Sequence, residues 1–151
     1  MKVLSIRSQK ILFSLLRWFF IVLLLTSAIG KLLDIVGFAA VIATYQFGIP
    51  SAALQFLALG LALFELFLGL SVLAGRHLRL CVALIILMHI GYLAIAIVTN
   101  LRGIALENCG CFGVFFARPM TWVTVVEDGI LVLMSWMLFY LLCQRSLLTR
   151  A

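Results

Sequence analysis

The sequence predicts an all-α membrane protein: a four-helix transmembrane bundle with both termini in the cytoplasm. Three observations carry this. Of its 151 residues, 66% are hydrophobic and 11% charged, against about 45–50% and 25% in soluble domains. Four apolar stretches reach the roughly 20 residues needed to cross about 30 Å of hydrocarbon. Lys and Arg gather on one side of those stretches. The composition excludes a soluble enzyme, a disordered chain and a disulfide-stapled mini-protein. Nothing alternates with period two over the segments a β-barrel would need. The net charge of +6 is explained by membrane-flanking cations, so no nucleic-acid partner is expected.

The first span covers about residues 12–33, with Arg17 near its start and Lys31 near its end. The second covers about 52–74, the third about 80–99 and the fourth about 121–143. Between them lie a loop around Phe38 to Pro50, a tight basic turn Gly75-Arg76-His77-Leu78-Arg79, and a loop from Asn100 to Met120. Without linker or repeat, residues 1–151 read as one domain. With the N-terminus inside, eight cations (Lys2, Arg7, Lys10, Arg17, Arg76, Arg79, Arg145, Arg150) lie inside and three (Lys31, Arg102, Arg118) outside. That bias sets the orientation and turns the 100–120 loop outward, into the periplasm if the chain sits in a bacterial inner membrane. The N-terminus also has the n-, h- and c-like regions of a signal peptide. The apolar pattern, however, runs on through Lys31-Leu32-Leu33-Asp34 without a polar break, which favours a retained span.

Topology sorts the four cysteines. Cys81 and Cys143 fall at the cytoplasmic ends of spans, where a reducing compartment leaves them as small apolar side chains. Cys109 and Cys111 share the outer loop, in Glu107-Asn108-Cys109-Gly110-Cys111-Phe112-Gly113. A disulfide across one residue demands a tight turn, which Gly110 permits. So small a ring is strained and exchanges readily, and it does little as a chain-entropy staple. Three readings stay open for this pair: redox exchange, an inert oxidised pair, or half of a metal site. The outer loops supply no further Cys or His to complete a metal site.

Ionisable groups inside a span are functional candidates by default. Glu65 and His89 each lie about 14 Å from the cytoplasmic end of their spans, at nearly one depth. They read either as a helix–helix hydrogen bond, or as the polar floor of a site for a quinone-like or other small apolar ligand, or as a proton site. Lys31, Asp34, Glu127 and Asp128 form a second, outer polar cluster, in which Lys31 is expected to pair with Asp34, Glu127 or Asp128. Gly60, Gly69 and Gly91 are expected at close helix contacts.

Taken together, Gly30-Lys31-Leu32-Leu33-Asp34, Phe38, Tyr45, Glu65-Leu66, Gly69-Leu70, Arg102-Gly103 and Cys109-Gly110-Cys111-Phe112-Gly113 resemble the methylamine-utilisation MauE-type branch of the DoxX-like membrane proteins. The last span departs from that pattern: Asp128 matches, but Glu127 stands where Arg is expected. The resemblance implies a four-helix membrane bundle that works beside a periplasmic thioredoxin-like protein. In the family's namesake the implied client is methylamine dehydrogenase. Cys109 and Cys111 would then exchange disulfides with that partner, a thiol-disulfide oxidoreductase chemistry; a quinone carrier at Glu65 and His89 is a reading of the buried residues and not of the resemblance. The alternative is a non-catalytic membrane scaffold for a periplasmic maturation system. A transporter fits less well, because four spans show neither an inverted repeat nor a broken helix pair.

Overall fold

In a computed structural model, which describes residues 6–148 and the side chains of 7–145, the described residues form five helices and no strand. They are α1 (Ile6–Leu32), α2 (Ile35–Thr44), α3 (Ser51–Ala74), α4 (Leu78–Leu101) and α5 (Trp122–Leu148). Four of them are long and apolar enough to cross a membrane: Arg7–Leu32, Ser51–Ala74, Leu78–Leu101 and Trp122–Arg145. They are apolar on every side because lipid, like the core, offers the backbone no hydrogen bonds. Phe56, Leu133 and Trp136 accordingly point outward, while Phe20, Leu68, Ile85 and Leu138 fill the interior.

The four expected spans fall on α1, α3, α4 and α5, with ends that differ by up to six residues. The pairing of helices is less obvious from the order of the chain. α1 packs chiefly along α3, and α4 along α5, while the sequential neighbours α3 and α4 touch much less. Gly69 permits the α1–α3 approach: a Cβ there would lie 2.9 Å from Leu25 Cδ2 and 3.3 Å from Leu24 Cβ. Gly60 and Gly91 do not act this way. Both face open space, so helix glycines alone do not mark a contact.

The loop expected around Phe38 to Pro50 is largely helix. Leu33 and Asp34 turn the chain, and Asp34 Oδ1 accepts the Gly37 N–H at 2.7 Å, capping α2. α2 then lays Phe38 and Ala39 against Leu54 and Ala58 of α3. At the other end of the bundle, α3 stops at Gly75, whose φ of +71° supplies the left-handed C-cap. Arg17 reaches across from α1 and donates to the carbonyls of Val72 and Leu73 at 2.8–3.1 Å. An arginine inside the first apolar stretch is thus used to satisfy orphan carbonyls at a helix end.

Candidate functional site

The loop between α4 and α5 folds back over the end of α1, and backbone contact fixes it there. A Cβ on Gly30 would sit 2.4 Å from the Phe112 carbonyl oxygen, and one on Gly113 would sit 2.4 Å from that of Gly30. Only two glycines let these strands of backbone touch. Asn108 shapes the turn from within: Oδ1 accepts the Gly110 N–H at 2.8 Å and Nδ2 donates to the Gly113 carbonyl at 3.2 Å. Gly110 and Gly113 adopt φ of +71° and +75°. The Cys109 N–H donates to the Arg118 carbonyl, and the Met120 N–H to that of Leu106. The Tyr45 hydroxyl donates to the Cys109 carbonyl at 2.7 Å, and Arg102 holds the Tyr45 carbonyl in turn at 3.0 Å.

Within this frame the sulfurs of Cys109 and Cys111 lie 2.7 Å apart. The two thiols are not equivalent. Cys109 is pulled down to about 7, first by the hydrogen bond from the Cys111 thiol, then by the Cys111 N–H and the Arg118 charge, against the effect of burial. Cys111 is pushed well above the ordinary thiol range, because its proton is held by Cys109 and because it is buried. The two sulfurs share a proton, and the surroundings favour the charge on Cys109 over Cys111.

Directly below lies a buried ion pair. Lys31 Nζ stands 2.6 Å from Glu65 Oε1 and 2.7 Å from Oε2, both side chains being 2% exposed. Its third proton goes to Ser27 Oγ at 2.8 Å. Glu65 also accepts from Tyr92 at 2.5 Å and from Ser27 at 2.7 Å, so about four lone-pair directions are filled. Ser27 Oγ is equally close to the Cys111 carbonyl, 2.7 Å away. A hydroxyl carries one proton, so it donates to the carboxylate or to the loop, one at a time. The rings of Phe38 and Tyr92 flank the ammonium at 5.4 and 5.5 Å.

Several expectations change. Lys31 pairs with none of Asp34, Glu127 or Asp128: the bend after α1 makes Asp34 a helix cap, and Glu127 binds Arg118 at 2.6 Å in an exposed pair. Glu65 and His89 do not bond each other either. Glu65 is taken by Lys31, and His89 Nδ1 meets the Ile85 carbonyl of its own helix at 2.9 Å. Asp128 is buried beside the cysteines, its charge opposing ionisation of both. Cys81 is buried against the Arg76 carbonyl, at the start of α4 and far from the dithiol.

Two cavities meet at the cysteine pair. One, of about 290 Å³, lies among α1, α4 and α5 and includes His89, Cys109, Cys111 and Asp128 in its wall. The other, of about 300 Å³, lies under α2 and includes Lys31, Phe38, Tyr45 and the same two cysteines. Ser27, Tyr92, Asn108 and Arg118 are site residues that sequence reasoning passed over. Ser27 alone left a signal, standing four residues before Lys31 and so on its helix face.

A search of curated proteins gave no match, and neither did a search of solved structures. A family model does match, over residues 9–141, which takes in α1 from Gln9, the cysteine loop and most of α5; its description is methylamine utilisation protein MauE. The chain is therefore a multi-pass membrane protein of the MauE family.

Proposed function

We propose that the protein is a membrane thiol-disulfide exchanger whose Cys109 and Cys111 pass electrons to or from a thioredoxin-like protein outside the membrane. In this reading it supports maturation of a periplasmic enzyme, which the family name links to methylamine utilisation. The observation that carries it is the asymmetric dithiol: sulfurs 2.7 Å apart, one depressed to about 7 and the other holding its proton. Cys109 attacks or is attacked to form the mixed disulfide with the partner, and Cys111 is the sulfur that leaves as it forms or returns to resolve it. The eight-to-three bias of Lys and Arg supports cytoplasmic termini and an outward cysteine loop in a bacterial inner membrane.

The test is trapping. Cys111→Ser should accumulate a mixed disulfide between Cys109 and a thioredoxin-like partner, seen as a reducible adduct on gels. Cys109→Ser should give none. If both variants leave the partner's redox state and client maturation unchanged, the exchange reading fails. A non-catalytic scaffold, with the cysteines merely shaping the loop, would then stand in its place.

A further inference from the structure

An exchanger that works repeatedly must return its cysteines to their starting state, and the structure offers a route from the lipid. The cavity among α1, α4 and α5 follows α1 from Phe19 to Ser27, about 12 Å along the axis, and α5 from Thr124 to Met134, about 15 Å. Phe19 and Ile130 in its wall are also exposed on the outer surface of the spans, at 41% and 50%. The cavity thus has one edge at the lipid-facing surface and ends at Cys109 and Cys111. Apolar surface predominates in its lining, which also carries polar and charged groups, among them His89, Arg118, Glu127 and Asp128. This is the shape of a site for a small amphiphile with a reactive head and an apolar tail. An acyl chain would fill the apolar part but has no use for a dithiol.

We propose that this cavity binds a lipid-soluble quinone and that the Cys109–Cys111 dithiol reduces it. The inference rests on the exchange reading above and gives it a direction. In the step, the Cys109 thiolate and the Cys111 thiol join in an S–S bond, and two electrons pass to the quinone ring. One proton comes from the Cys111 thiol and a second from solvent, and both end on the two quinone oxygens as quinol. Thiolate, thiol, quinone and one proton thus give disulfide and quinol. Asp128, buried against both cysteines, is placed to pass the solvent proton. His89 donates from Nδ1 to the Ile85 carbonyl, which leaves Nε2 as an acceptor for a quinol hydroxyl. Glu65 does not serve the quinone, because Lys31, Ser27 and Tyr92 already occupy its oxygens.

The experiment uses the full chain in lipid nanodiscs, reduced and freed of reductant, with a short-chain ubiquinone as probe. Quinol formation is followed by absorbance, and the cysteine state by maleimide mass-tagging. One quinol per reduced protein is expected, with a disulfide appearing at the same rate; Cys111→Ser should yield none. Ile130→Trp and Met134→Trp, which crowd the cavity from α5, should each raise the quinone concentration for half-maximal rate about tenfold. Trapping of Cys109 with the thioredoxin-like protein, measured on the same variants, should not change and so reports that they are folded. If trapping succeeds and no quinol forms, the quinone inference is overturned and the exchange reading survives. If quinol forms without trapping, the exchange reading is the one that falls. Quinol formation unaffected by either tryptophan would place the quinone elsewhere and overturn the site.

Discussion

Lys31 and Glu65, 34 residues apart on α1 and α3, form a buried ion pair whose ligand Ser27 also reaches the carbonyl of Cys111. The charge inside the bundle and the cysteine loop above it are therefore joined by one hydroxyl. Lys31 has all three protons placed, and Glu65 accepts three hydrogen bonds from Lys31 and Tyr92, with a fourth when the Ser27 proton turns to it. Such saturation is what makes a buried pair tolerable, since desolvation otherwise exceeds the Coulombic gain.

Breaking that pair from one side should be costly. Lys31→Met strands the Glu65 carboxylate and should destabilise the protein by about 3–5 kcal/mol. Lys31→Met combined with Glu65→Met should recover most of the loss. Thermal unfolding in detergent across the four species of the double-mutant cycle checks this, and simple additivity would show that the two charges do not depend on each other.

Reactivity of Cys109 should follow its ionisation. The thiolate is the nucleophile, so alkylation of the reduced protein should be slow in acid and rise through a midpoint near the value of about 7. Cys111→Ala removes the main donor and should move the midpoint upward, toward that of an ordinary thiol. Rates of iodoacetamide labelling between pH 5 and 10, as an order-of-magnitude range around ordinary thiol values, give the comparison. A midpoint that stays put would mean that Cys111 does not set the ionisation of Cys109.

The backbone contact between Gly30 and Gly113 should not admit a methyl group. Gly30→Ala places Cβ 2.4 Å from the Phe112 oxygen, and the loop must lift away from α1. About 1–3 kcal/mol of stability should be lost, and Cys109 alkylation at neutral pH should change with it. Gly60→Ala, on an open helix face, is the control and should be neutral or slightly stabilising. Equal effects at the two sites would remove the close approach as the explanation.

Arg118 should separate stability from reactivity. Its pair with Glu127 is exposed, at 49% and 42%, and Arg118→Gln should cost no more than about 1 kcal/mol. The same substitution removes a cation that favours the Cys109 thiolate, so the alkylation midpoint should rise. Unfolding and labelling measured on one preparation decide it. A large loss of stability with no shift in the midpoint would contradict both halves.

How far the sequence could be read depended on how local each signal was. Spans, their number and the Asn100–Met120 connection follow from hydropathy, because lipid imposes the same demand on every residue of a crossing helix. The cysteine motif and its glycines are adjacent in sequence, and a tight turn needs only neighbours. Asp34 was misread because a charge three residues from Lys31 looks like a helix partner, until the chain bends and the side chain caps α2 instead. Lys31 chose Glu65 because α1 packs along α3, a pairing that hydropathy does not encode.

By itself, then, the sequence determined an all-helical bundle with four apolar spans and a Cys-Gly-Cys loop between the last two. Those features arise from the solvent a segment meets and from dihedral angles available to single residues. Tertiary structure alone decided which polar groups meet: Ser27, Lys31, Glu65 and Tyr92 from three helices, with Cys109 and Cys111 set between two cavities. The physical reason is that a buried charge must find partners wherever packing brings them. In lipid, where neighbouring helices are equally apolar, small side chains and polar contacts choose the packing.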